Sequence, residues 1–407
     1  MERIFCRTDI LLPRDCDLRA WSVVACDQFT SDPGYWDRLD ALVGEAPSSL
    51  RLILPEARLA GADLDRTAAD IAGRMEQYLR AGVFRALPDS YVYLERTLPD
   101  GRVRRGLVGA LDLEAYDYRP DARTPVRATE GTVESRLPAR MRIRAAAPLE
   151  LPHTMVFFND PADRALGDLA ERTGTLEPLY DFTLNAGGGR ARGWRVTGPD
   201  ADRVDAALDA LDGTGLRYAM GDGNHSLATA KACWEQTKRT LSPEQWAAHP
   251  ARRSLVELVN IHDPAIVFEP IHRCLRCEDP AAFLREAEEF FADRYRPGID
   301  GLPLRLATAA GETEQRLDCA SVAELIAAVD ELISAFLARH GGEVDYIHND
   351  ETALDLARQG WCALLLPKLD KGELFPTVER RGPYPRKSFS IGRAEEKRYY
   401  LEARKII

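Results

Sequence analysis

Apolar spacing along the chain alternates between the period of strands and that of helices, which predicts a mixed α/β fold. AWSVVACDQFT (20–30) begins as a short apolar strand and ends in the polar pair Asp27-Gln28. SDPGYW then reads as a turn and WDRLDALVG as a short helix. DLDRTAADIAGRMEQYLRAGVF carries apolar residues at helical spacing, with Asp63 or Asp65 as cap and Gly82 as stop. SYVYLERTLPDGRVRRGLVGALDL predicts a hairpin, because two alternating runs flank Pro99-Asp100-Gly101. LEPLYDFT and GWRVTG read as strands around Gly187-Gly188-Gly189, and DADRVDAALDALDG as an amphipathic helix ending at Gly213.

In the second half, helical runs are expected at 242–262, 279–292 and 320–339, with short strands AIVFEPIH and LPLRLATAA between them. DYIHNDETALDLARQGWCALLLPKL predicts strand, helix, strand, with Asp350 as the helix cap. The tail ends in an apolar-aromatic strand. Neither a repeat nor a low-complexity linker breaks the chain. The 407 residues therefore read as one intertwined α/β unit of mixed sheets with surrounding helices, with a subdivision into 1–240 and 241–407 left open.

Charge narrows the function classes. A net charge of −11 argues against nucleic acid as partner. No stretch approaches the ~20 apolar residues of a membrane span, and MERIFCRTDILLPRDCD lacks the apolar core of a leader, so a cytoplasmic location is expected. The C-x-x-C of Cys274 and Cys277, near His272, lacks the second pair a zinc ribbon needs, and no metal centre is assigned.

The chemistry concentrates in YAMGDGNHSLATAKACWE (218–235): an apolar run, then Gly221-Asp222-Gly223-Asn224-His225-Ser226, then a helical series. A helix start has unpaired N–H groups and partial positive charge, and glycines let a ligand approach the backbone, so strand, Gly-rich turn and helix make a phosphate site. Asp222 suits a proton acceptor or metal ligand, His225 a donor or proton carrier, and Ser226 a further donor. The same residues also suit a plain tight turn capped by Asn224. The spacing is neither that of a P-loop nor of a dinucleotide fingerprint.

A second cluster lies in 124–160, TPVRATEGTVESRLPARMRIRAAAPLELPHTMVFFND. Glu130 among Arg127, Arg136 and Arg140 stays ionised and suits a base toward a hydroxyl, while the arginines suit phosphate or carboxylate. A salt-bridged, solvated loop is the alternative. Asp27 and Gln28 end a strand, where ligands of open α/β sheets sit, and Lys387 suits a phosphate as a point charge. His153, just before a strand, reads as structural.

GDGNHSLATA resembles the Asp-Gly-His-His-Arg signature of a widespread prokaryotic family of unknown function. VVACDQFT, RATEGTVESRLPARMRIR, LEPLYDFT and PRKSFSIGRAEEKRYYLEARKI look like the same family, so the resemblance spans nearly the whole chain. That signature is similar to the turn of the ParB/sulfiredoxin-like group, which includes sulfiredoxins, partition-protein nucleotidase domains and free-serine kinases. There the turn holds nucleotide phosphates. Asp222, Gly223 and His225 match, whereas Asn224 stands where a first His is usual and Ser226 where Arg is usual. Sulfiredoxin chemistry needs a cysteine in the turn, and 221–226 has none.

The resemblance implies a small-molecule phosphotransferase or phosphatase acting on serine, phosphoserine or a similar hydroxy amino acid. Phosphate would sit at Gly221–Ser226 and Mg²⁺ would accompany a nucleotide or other donor. Glu130, Asp222 and His225 would do the chemistry, with Gly221, Gly223, Asn224, Ser226, Arg127, Arg136, Arg140, Asp27, Gln28 and Lys387 binding substrate. The alternative is a non-catalytic sensor of a nucleotide or anionic metabolite.

Overall fold

The computed structural model describes residues 3–211 and 215–407. The expected helix stop at Gly213 lies outside them. The fold is mixed α/β, and its contacts gather into two compact units. The first comprises 1–128, 132–266 and 393–407; the second comprises 129–131 and 267–392.

The first unit is built on an 11-stranded sheet among the described residues. The expected hairpin forms as Phe84–Thr97 against Val103–Asp112. Its alternation sends Tyr91 and Tyr93 into one core and Val92 and Leu94 into the other, so both sheet faces are buried. Asp63 caps the helix Leu64–Arg80 by accepting from Arg66 N–H.

Several expectations are corrected. SDPGYW is not a turn: Asp32 accepts from Tyr35 N–H and Pro33 opens the helix Pro33–Val43, because proline costs nothing where the N–H has no partner. AWSVVACDQFT is not a strand: Leu18–Trp21 is helical, and Val24 makes only an isolated bridge to Tyr399. The run 242–262 is not one helix. Helix Pro243–Ala248 stops before Pro250, and Arg253–Asn260 becomes a strand between Val103–Asp112 and Met155–Phe158. Leu255, Val256, Leu258 and Val259 are all fully buried, so a strand covered on both faces shows no polar alternation. The aromatic tail is not a continuous strand either: Tyr399 and Ala403 make isolated bridges to Val24 and Leu11, and Arg404–Lys405 forms a two-residue ladder with Leu149–Glu150.

The second unit holds a five-stranded antiparallel sheet in the order Gly311–Leu317, Pro297–Thr308, Cys362–Leu365, His272–Arg276, Glu343–Ile347. Its helices include Pro280–Arg294, Val322–His340 and Asp350–Arg358. Asn349, not Asp350, caps the last of these by accepting from Thr352 N–H, and Asp350 instead meets the buried His272 ring at 3.0 Å. Among the described residues, no helix is long and apolar enough to cross a membrane.

Candidate functional site

Both glycines of the 221–226 turn sit in tight surroundings, and Gly223 also has a left-handed backbone. A methyl at Gly221 would stand 3.0 Å from the Phe157 ring. Gly223 has φ +79°, and a methyl there would stand 3.1 Å from Thr154 Cα and 3.4 Å from His153 Cδ2. The turn is thereby pressed onto the start of the neighbouring strand. Gly223 itself is the N-cap of the helix Asn224–Lys238, without a side-chain cap. Asn224 is the first helical residue, so the capping role considered for it falls away. Asp222 accepts from Gly223 N–H at 3.0 Å and meets Lys397 Nζ at 3.2 Å. His225 Nε2 accepts from Val133 N–H at 3.2 Å, which leaves the proton of the neutral ring on Nδ1.

His225 and Ser226 open onto a cavity of about 300 Å³ that lies within the first unit. One wall is the helix Leu137–Ala146, which packs against both Leu64–Arg80 and Asn224–Lys238. Arg140, Ile143 and Arg144 share one face of it at helical spacing and line the cavity with Arg136. Cys26, Asp27, His153 and Tyr400 form another part of the wall.

These last four are tied together. Tyr400 Oη accepts from Cys26 N–H at 3.2 Å, so its own proton is available to His153 Nδ1 at 2.7 Å. With Nδ1 accepting, the neutral His153 ring carries its proton on Nε2, 3.9 Å from Asp27 Oδ2. Asp27 also accepts from Gln28 Nε2 at 3.0 Å. Burial by itself would raise the Asp27 pKa; His153, the Gln28 amide and Lys397 outweigh it and hold the carboxyl below its ordinary value. Cys26 goes the other way. Burial and the Asp27 charge push its thiol up to about 12, so it is no thiolate nucleophile at neutral pH.

Two outcomes follow from this wall. Tyr400→Phe strands Cys26 N–H and His153 Nδ1, and should lower stability by about 1–3 kcal/mol in denaturant melts. Beneath the cavity, burial opposes the ionisation of Glu150, but Arg404 and Arg144, each at 2.7 Å, hold its pKa low. Both carboxyls have folded pKa values below their unfolded ones. Their stabilisation is therefore complete only above the ordinary carboxyl range, about pH 5, and is lost as pH falls through the lower folded values, so denaturant midpoints should drop as the pH is lowered from about 5.

The residues singled out from sequence divide between the units. Asp27, Arg136, Arg140, His225 and Ser226 line one cavity; Gln28 orients Asp27, and Gly221 to Asn224 form the adjoining turn. Arg140 already pairs with Glu56 and donates to Arg136 O at 2.7 Å. Arg136 is exposed and makes no ion pair with a described residue. Arg127 is not among the cavity-lining residues: it is 5 % exposed and donates to Thr124 O at 2.7 Å. Glu130 and Lys387 belong to the second unit. There Glu130 accepts from Ser388 N–H at 3.3 Å, and the Lys387 ammonium lies 4.2 Å from the centre of the Tyr346 ring.

His153 lines the cavity although its sequence context reads as structural, and Glu56, Lys397 and Tyr400 were not singled out at all. The only signal for the last two was their place in a charged-aromatic tail, EEKRYY.

A family model described as "Protein of unknown function (DUF1015)" matches residues 10–405. The chain belongs to that family. No curated protein matches this DUF1015 member. Among solved structures it is similar to a free serine kinase variant in complex with AMP, at 11% identity and TM-score 0.38, covering 76% of this chain and 94% of that one. It is also similar to a conserved hypothetical protein from Pyrococcus furiosus, at 10% identity and TM-score 0.33, covering 72% and 90%. SbnI with a C-terminal truncation, from Staphylococcus aureus, gives 12% identity and TM-score 0.28 over 60% and 82%.

Proposed function

We propose that the first unit binds a phosphate-bearing small molecule in the 300 Å³ cavity and moves a phosphoryl group to or from a hydroxyl. One observation carries this: the first helical turn at His225-Ser226 and the ionised Asp27 carboxylate line the same cavity. An anion is favoured at the helix start by its N–H groups and partial charge, and by the Ser226 hydroxyl. Arg136 adds a full charge that no carboxylate among the described residues has claimed. Asp27 takes the part first expected of Glu130. As the acceptor oxygen bonds to phosphorus and the bond to the donor's oxygen breaks, the acceptor's proton passes to Asp27. In hydrolysis, water is the acceptor, the same carboxylate takes its proton, and the departing ester oxygen keeps the bonding pair and takes up a proton from solvent.

Magnesium fits as an ion carried in by the phosphates. It favours oxygen ligands, needs only one or two carboxylates, and would find Asp222, which already faces a cation in Lys397. Bound there, it would neutralise charge on the phosphate oxygens.

Thermal shifts test the binding half of the proposal. Inorganic phosphate, phosphoserine and nucleotides, each with and without Mg²⁺, are compared on wild type and His225→Ala. A ligand at 100 times its Kd stabilises by about 2.7 kcal/mol, and that gain should shrink or vanish in the variant. If no phosphate compound raises the wild-type Tm, the proposal fails.

A further inference from the structure

The walls of the same cavity differ sharply along its length. Val133 N–H donates to His225 Nε2, which fixes the start of the 137–146 helix beside the start of the 224–238 helix. Arg136, His225 and Ser226 therefore share one end. Ile143 lies seven residues beyond Arg136, about 10 Å along the helix axis. The lining also carries an aliphatic cluster: Ile53, Leu54 and Leu151 are half-buried like Ile143, and with Met75 they pack into the same core. A half-buried aliphatic side chain facing a cavity leaves apolar area that a ligand can cover. Apart from the imidazoles of His153 and His225, Tyr400 gives the only aromatic ring in the lining, and its hydroxyl is engaged by His153.

A nucleobase gains most from an aromatic face to stack on, and beside Ile143 the lining offers aliphatic side chains and the Arg144 guanidinium, which is already paired with Glu150. The volume of about 300 Å³ is at the small end for ligand pockets. We infer that the phosphate-bearing molecule is a short aliphatic phosphomonoester, with its phosphate at His225-Ser226 and a chain of about four to six carbons along Ile143 and Leu54. This rests on the phosphate reading of the site and adds the class of the group that carries the phosphate.

Calorimetric titration of the full chain with inorganic phosphate, ethyl, butyl and hexyl phosphate, and AMP tests the assignment. Burying each methylene should tighten Kd by up to about fourfold, so hexyl phosphate should bind far more tightly than ethyl phosphate. Ile143→Ser and, separately, Leu54→Ser should flatten that dependence and leave the Kd for inorganic phosphate unchanged. Two variants on different segments guard against one of them failing to fold. Equal affinity for all the alkyl esters, or AMP binding more tightly than hexyl phosphate, would overturn the aliphatic assignment and leave the phosphate site standing. Binding of none of these compounds, inorganic phosphate included, would overturn both.

Discussion

Asp27→Asn should lower turnover by roughly 10²- to 10⁴-fold, the usual contribution of a positioned proton acceptor, and keep phosphate binding. The amide keeps the shape of the carboxylate and can still meet Gln28, but it cannot take a proton from an attacking hydroxyl. It also ends the attraction to His153, 3.9 Å away, and to Lys397. The phosphate end of the cavity is built from other residues, Arg136, His225 and Ser226. The loss should therefore lie in kcat, while a phosphate-induced rise in Tm stays within a degree or two of wild type. A variant with undiminished kcat would remove Asp27 from the chemistry. Loss of the thermal shift together with activity would make it a binding residue.

Glu257→Leu should destabilise the first unit by about 3–5 kcal/mol, a large share of the 5–15 kcal/mol of an ordinary domain. Glu257 is fully buried, with Arg104 Nε and Arg398 Nε each 3.4 Å from its carboxylate. Gly106 on the neighbouring strand makes room for it, since a methyl there would meet Glu257 Oε1 at 2.5 Å. Removing the carboxylate leaves cations buried together, where burial and Arg104 already push the Arg96 pKa down. The effect extends to the site. Arg96 donates to Lys397 O and Glu395 O, and Arg104 to Glu396 O, so the same cluster grips the segment that delivers Lys397 and Tyr400. Urea melts of the variant should show the drop in midpoint, and phosphate-dependent stabilisation should weaken with it. A midpoint unchanged from wild type would mean that the cluster carries little of the fold's stability.

The legible parts of the fold were those with a local marker. The hairpin 84–112 is buried on both faces but is announced by its Pro99-Asp100-Gly101 turn, and the helix Leu64–Arg80 has both a cap and an apolar stripe. Arg253–Asn260 read as helix because Leu255, Val256, Leu258 and Val259, buried on both faces of a central strand, fall at a spacing that a helix face shares. The tail read as a strand from its aromatic run. Its backbone in fact bonds to separate segments far away in sequence: Tyr400 N–H donates to Val23 O, Ala403 exchanges two bonds with Leu11, and Ile406 N–H donates to Pro148 O, which no local pattern records.

The candidate site divides in the same way. Gly221 and Gly223 announced a turn because the chain passes close to Phe157 and Thr154 there and Gly223 takes a left-handed conformation, and Asp27 stood out as a carboxylate closing an apolar run. His153, Lys397 and Tyr400 were hidden because their surroundings are made by segments far apart in sequence. His153 and Tyr400 are separated by 247 positions and joined by one hydrogen bond. Glu130 looked like part of the arginine cluster from its neighbours in the chain, yet its described contacts are to Tyr384 and Ser388.

The most direct test of phosphoryl transfer in this cavity is a ³¹P NMR time course. Wild type and Asp27→Asn are each incubated with phosphomonoesters alone, and with nucleotide donors plus aliphatic alcohols and hydroxy acids, in the presence of Mg²⁺. The expected result is a new phosphorus resonance with wild type, from free phosphate or a new ester, that is absent with Asp27→Asn. Line broadening of the starting compound should persist in both. Unchanged, unbroadened spectra with wild type across every mixture would contradict the account.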